Sequence, residues 1–257
     1  MTTKKRVLLS MLEENEELAR LLNHELSKSG LDVQTHFWDA NPDRMTWASA
    51  ARELTSVHAW VIVGHDFSSK ILRRSLALCA LSVLADRGST FPILISAEGS
   101  DPDVSTLPTP FHEAVCVKNS LGAKCDVLTD TYQQIRPAYR LKPHGLGKLG
   151  LWFEMGPIDA FWQGAFFASG ILGDTNGIPL AHEAGIAGTL PEHSTLQDPV
   201  EGMKRTVHGI PCTGFGIHNT LNSSTSYYVK VSACPDVLSF GAFPETDEAT
   251  LYTIDLV

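Results

Sequence analysis

No run of roughly 18 apolar residues occurs in this sequence, so no membrane-spanning helix is expected. Cysteine is sparse. The five thiols, at positions 79, 116, 125, 212 and 234, are odd in number and form no CxxC pair, which argues against a disulfide framework and a structural zinc knuckle. Basic residues are few as well: 20 Lys and Arg face 29 Asp and Glu, a net charge of −9. A chain without a basic stripe is poorly built to release counterions from a phosphate backbone, so nucleic acid is not an expected partner. The opening MTTKKRVLLSMLEENEE reaches acidic residues too early for a signal peptide, and a cytoplasmic setting is expected. No G-x-S-x-G elbow and no HExxH pair is present. His182, Glu183 and His193 read as one long loop, and His208, Cys212 and His218 as loop histidines around a buried thiol, so neither a metal nor a cofactor is expected.

What remains has two grammars. From Lys5 to about Arg136, short apolar runs alternate with amphipathic stretches, the pattern of βα units on a parallel sheet. Strands are expected at Arg6–Ser10, Leu31–Trp38, Ala59–Val63, Phe91–Ser96 and Glu113–Val117, with helices at Glu13–Ser29, Lys70–Asp86 and Leu121–Arg136. The natural sheet order is 2-1-3-4-5.

Beyond the Arg136-Pro137 to Gly145 punctuation, helical periodicity vanishes and Gly-rich turns separate strand-like runs, as in a β-sandwich or barrel. Those runs are Leu149–Met155, Phe161–Ala168, Gly214–His218, Ser226–Val231, Val237–Phe243 and Leu251–Leu256. Domains are therefore expected over 1–140 and 145–257. Charge follows the boundary: residues 145–257 carry four basic and twelve acidic residues, nearly the whole acidic surplus. Gly145-Leu146-Gly147-Lys148-Leu149-Gly150 matches G-x-G-x-x-G but lacks the strand before it and the helix after it, so it reads as an interdomain turn. Gly173-Asp174-Thr175-Asn176-Gly177 reads as another turn. Trp152, Phe153, Phe161, Trp162, Phe166 and Phe167 crowd into 16 residues and are expected in the β core or at an apolar interface.

In an open parallel sheet, ligands bind beyond the carboxyl ends of the strands at the switch point between the first and third. That places Ser10, Asp39, Gly64, His65, Asp66, Ser68 and Ser69 at a candidate ligand site, with Met11, Asn41 and Ser96 beside it. The Gly64–Ser69 loop is the strongest element: a helix N-terminus with serine hydroxyls can hold an anion, and the bland alternative is simple helix capping.

Four pieces of the first half resemble a Toll/interleukin-1 receptor (TIR) domain over roughly residues 5–135. RVLLSMLEENEELARLLNHELSKSGLDV is similar to the family's strand, acidic loop, helix and second strand. His58–Asp66 resembles its third strand and FPILI its fourth, and Ser69–Leu76 lies where the family has S-x-W-C-x-x-E-L. The resemblance implies a flavodoxin-like fold. It also implies a departure: the glutamate that carries NAD cleavage in the family's enzymes falls on Ser75, and no acid occurs between Asp66 and Asp86. A serine cannot stabilise an oxocarbenium-like centre as a carboxylate does. The expected function is a non-catalytic binding or assembly scaffold, homo-oligomeric, with a possible nucleotide-like small ligand. One alternative is a nucleotide or NAD glycohydrolase drawing its acid from Glu154, Asp39 or Asp66. The other is a purely structural oligomer subunit.

Overall fold

The computed structural model describes residues 4–42, 44–97, 103–173, 179–193, 195–244 and 251–257. The chain divides into two compact units, 1–135 and 136–257.

The first unit is a five-stranded parallel sheet of order β2-β1-β3-β4-β5, the order expected from the sequence. Its strands are β1 (Arg6–Met11), β2 (Asp32–Phe37), β3 (Ala59–Gly64), β4 (Ile93–Ala97) and β5 (Val115–Cys116). Helices α1 (Glu16–Lys28), α2 (Trp47–Leu54), α3 (Lys70–Arg87) and α4 (Leu121–Thr131) fill the connections. Alternation along β1 and β3 sends Val7, Leu9, Met11, Val61 and Val63 to one face, where they form a core with Leu26 of α1 and Cys125 of α4. Leu8, Ser10, Trp60 and Ile62 take the other face, which α3 covers. As its composition implies, α3 is buried along its middle from Ser75 to Val83.

Helix α2 is absent from the sequence reading. It is only eight residues long, and although its buried residues Trp47, Ala50, Ala51 and Leu54 keep the i, i+3, i+4, i+7 spacing, two of the four are alanines and two turns make a short window in which to read it. Helix α4 stops at Thr131, five residues before the expected Arg136, because the chain turns back to bond with Ser89 and Thr90.

The second unit consists of two separate antiparallel sheets rather than one closed barrel. One has the order β6-β7-β12-β9 and the other β10-β11-β8-β13-β14. The first comprises β6 (Tyr139–Gly145), β7 (Leu151–Pro157), β9 (Pro179–Ile186) and β12 (Thr225–Val231). The second comprises β8 (Trp162–Gly170), β10 (Val200–Val207), β11 (Ile210–Leu221), β13 (Val237–Gly241) and β14 (Tyr252–Asp255). The sheets meet through aromatic rings: Phe153 stacks on Phe167 at 5.6 Å, Tyr139 meets Phe240 edge-on at 4.9 Å, and His182 lies 4.7 Å from Phe215. Of the six clustered aromatics, five are buried and Phe161 stands exposed before β8.

Three expectations are corrected here. The Tyr139–Gly145 segment, read as punctuation because of Pro143, is a true strand; β6 is an edge strand, where a missing N–H costs no ladder bond. Gly145–Gly150 is therefore not an interdomain turn but the connection of the β6–β7 hairpin. Strands β9 and β10 were unforeseen: β9 carries His182 and Glu183, so the expected 182–193 loop begins only after Ile186. The expected turn at 174–177 lies outside the described residues.

Candidate functional site

Ser10 sits near the carboxyl end of β1 but is wholly buried. Its Oγ lies 2.6 Å from His36 Nε2 and accepts a hydrogen bond from Trp60 Nε1 at 2.8 Å. His36 and Trp38 alternate along the β2 edge, so both reach the same face, with their rings edge-to-face at 5.8 Å. Trp38 lies 5.8 Å from Trp60 and donates Nε1–H to Ser75 Oγ at 3.2 Å. Burial drives the His36 pKa below its ordinary value, against the pull of the Glu53 charge, so the ring is neutral at pH 7. Ser10, His36, Trp38, Trp60 and Ser75 thus form one polar thread between the sheet and α3. His36 and Trp38 were not singled out from the sequence, although the H-x-W spacing on a strand places both on one face.

The other predicted residues are dispersed around this thread. Asp39 is engaged just beyond β2: its Oδ1 accepts from the Asn41 backbone at 2.9 Å and its Oδ2 meets Arg44 at 3.3 Å. Gly64 ends β3 under Leu12, whose side chain would collide with any Cβ there at 2.7 Å. His65 is exposed and lies 3.3 Å from Glu13 Oε1. Asp66 accepts from the Ser68 backbone at 2.7 Å, and the side-chain and backbone hydrogen bonds of Ser68 hold its carboxyl below the usual range. Ser69 is the N-cap of α3, accepting from the Leu72 backbone. Asp66 and Ser69 are thus engaged in turn and cap geometry. The hollow next to the loop, between Phe67, Leu76 and Phe111, measures only about 10 Å³, room for about one water.

One feature at this loop favours an anion. The opening of α3 carries Lys70, Arg73 and Arg74 and no acid, where the helix dipole already presents positive potential. Arg73 donates from Nη2 to the Thr106 carbonyl, while its Nε is buried without a hydrogen-bond partner.

Glu154, the acid named in the second half, is the most enclosed charge in the molecule's described residues, at 0% exposure. Arg140 Nε lies 3.0 Å from Oε1, Ser226 Oγ donates at 2.7 Å and the Gly188 backbone at 2.8 Å, while His144 Nε2 lies 2.9 Å from Oε2. Burial pushes the Glu154 pKa up, but the hydrogen bonds from His144, Ser226 and Gly188 outweigh it and bring the carboxyl to about 2. Arg140 also donates to the Ser223 and Thr225 carbonyls. Three segments of the chain, β6, the turn at Gly188 and β12, converge on this carboxylate, and both of its oxygens are engaged. Arg140 and His144 were hidden by the punctuation reading; their alternation on β6 was the available signal.

The remaining histidine groupings do not assemble. His182 Nδ1 pairs with the Tyr227 hydroxyl at 2.7 Å, His208 with Asp255 at 2.9 Å, and His218 with the Asp198 carbonyl at 3.1 Å. Cys212 is buried against the Ile210 carbonyl. Among the described residues no group of three or more His, Cys, Asp and Glu could hold a metal ion, and no helix is long and apolar enough to cross a membrane.

No protein-family model matches the sequence, and no curated protein matches it. Among solved structures, a 3-dehydroquinate dehydratase-like protein from Bifidobacterium longum is similar over 51% of this chain and 100% of its own, at 18% identity and a TM-score of 0.35. A likeness that low carries no argument about fold or chemistry here.

Proposed function

We propose that this chain is a non-catalytic, cytoplasmic binding or assembly protein that works as a homo-oligomer. On this reading its first unit is a degenerate TIR-like domain of flavodoxin-like type, and its Gly64–Ser69 loop receives a nucleotide-like ligand. The observation that carries the reading is Ser75: the position aligned with the family's catalytic glutamate is a buried hydroxyl already bonded to the Trp38 indole. The acids that could stand in are engaged elsewhere, Asp66 with Ser68, Asp39 with Asn41 and Arg44, and Glu154 with four donors. Lys70, Arg73 and Arg74 at the start of α3 support an anionic, phosphate-bearing ligand at the loop.

Native mass spectrometry of the purified chain tests this directly, because subunit number and retained small molecules are read together. An oligomer, bare or carrying a nucleotide, is the expected result, and a bare monomer would overturn the assembly role. Incubation with NAD under the same conditions tests the other half: release of nicotinamide above a buffer control would overturn the non-catalytic reading.

A further inference from the structure

A cavity of about 270 Å³ lies at the opposite end of the parallel sheet from the Gly64–Ser69 loop, beside the amino end of β4. Its origin is the shortness of β5. That strand pairs with β4 only through Leu94 with Val115 and Ile95 with Cys116, so the chain at Phe91–Ile93 has no strand neighbour on that side. The segment after α4 closes the hollow: Thr90 Oγ1 donates to the Gln133 carbonyl at 2.5 Å and the Ser89 backbone donates to the Ile135 carbonyl at 2.9 Å. Phe91, Val115, Leu128, Tyr132 and Ile135 supply its apolar lining, and Glu113 is the single charged residue there.

The walls are held in place. Phe91 and Tyr132 stand edge-to-face at 6.3 Å, and the Arg87 guanidinium lies 5.1 Å from the Phe91 ring and 5.9 Å from the Tyr132 ring. Arg87 is itself fixed by the Thr55 and Val57 carbonyls at 2.9 and 2.7 Å, and the Tyr132 hydroxyl donates to the Arg87 carbonyl.

The polarity of the cavity selects a ligand. Thr90, Thr131 and Tyr132 have each given their hydroxyl hydrogen to a backbone carbonyl, so toward the cavity they can only accept. Apart from the Gln133 amide, its side chains therefore offer acceptors, one carboxylate and apolar surface, with no cation to receive an anion. We propose that this cavity binds a small amine with an aromatic or aliphatic body, its ammonium group at Glu113 and its body against Phe91, Leu128 and Ile135. The volume falls just below the roughly 300–1,000 Å³ of typical small-molecule sites and suits a ligand of modest size.

Titration calorimetry of the full chain with 2-phenylethylamine, phenylacetate and 2-phenylethanol tests the assignment, since the three probes share a body and differ in the head group. The expected result is binding of the amine alone, with ¹⁵N chemical-shift changes centred on Phe91, Leu128 and Ile135. Glu113→Gln, at an exposed position where folding is not at stake, should weaken the amine about fivefold. Equal binding of the three probes, no binding of the amine, shifts centred elsewhere, or an affinity unchanged by Glu113→Gln would each overturn it.

Discussion

Trp60 donates its indole hydrogen to Ser10 Oγ at 2.8 Å, and that bond determines what Ser10 can do with His36. With one lone pair occupied, the hydroxyl still has its own buried proton to place, and donation to His36 Nε2, 2.6 Å away, is the expected arrangement. The neutral ring must then carry its hydrogen on Nδ1. Long-range ¹⁵N spectra of the imidazoles should give an Nδ1–H tautomer for His36, and an Nε2–H tautomer would reverse the direction assigned to this hydrogen bond.

The same thread predicts a pH effect. Burial lowers the His36 pKa from 6.5, so the unfolded chain takes up this proton at higher pH than the folded one. Stability from this residue is present above pH 6.5 and declines as the pH falls from there toward the folded value. Ser10→Ala, which strands both the Trp60 indole and His36, should cost about 1–3 kcal/mol in urea denaturation at pH 7.

Glu154 gives the opposite kind of carboxylate behaviour. Its folded pKa of about 2 lies below the ordinary 4.5, so its contribution is complete above about pH 4.5 and is lost as the pH falls toward 2. Glu154→Gln should flatten the acid limb of the stability profile.

Removing the Glu154 charge outright is a harsher test. Glu154→Leu leaves the half-buried Arg140 guanidinium without its counter-charge, with only the Ser223 and Thr225 carbonyls and Ser226 Oγ as neutral acceptors, and should destabilise by about 3–5 kcal/mol. Pairing it with Arg140→Met should recover much of that loss, and denaturation curves of the single and double variants decide whether the pair acts as a unit.

Gly164 has φ +79°, and a Cβ there would lie 2.6 Å from both the Ile217 carbonyl and Phe243 Cβ. Gly164→Ala should therefore cost more than about 1 kcal/mol, whereas Gly209→Ala, at φ +78° with open space around it, should be limited to the backbone penalty. Thermal melts of the two variants separate strain from crowding.

Much of the first unit was legible because its signals are redundant. The apolar runs RVLLS, AWVIV and FPILI, separated by helical stretches, leave few alternatives to a parallel sheet in the observed order. The second unit offered weaker cues. In β10 the outward residues Glu201, Lys204 and Arg205 dominate, and a bulge at Gly202 breaks the alternation that would have revealed a strand. Pro143 concealed β6, and with it the partners of Glu154. Ser10 and Gly64 stand near the carboxyl ends of β1 and β3, where the expected sheet order places them. What no spacing could tell was that Ser10 would be sealed by Trp60, because that depends on which indole fills the space between sheet and helix.

Arg140 has a consequence for the order in which the chain matures during synthesis. It opens the second unit, yet its acceptors Thr225 and Ser226 follow 85 and 86 residues later. The first unit contains all five strands of its own sheet and can close as it leaves the ribosome, while Arg140, which meets Glu154 once β7 is made, must wait for β12 before its remaining acceptors arrive. A nascent chain halted before Ser223 would therefore carry a complete first sheet followed by a β6–β7 hairpin whose β7 edge still lacks β12.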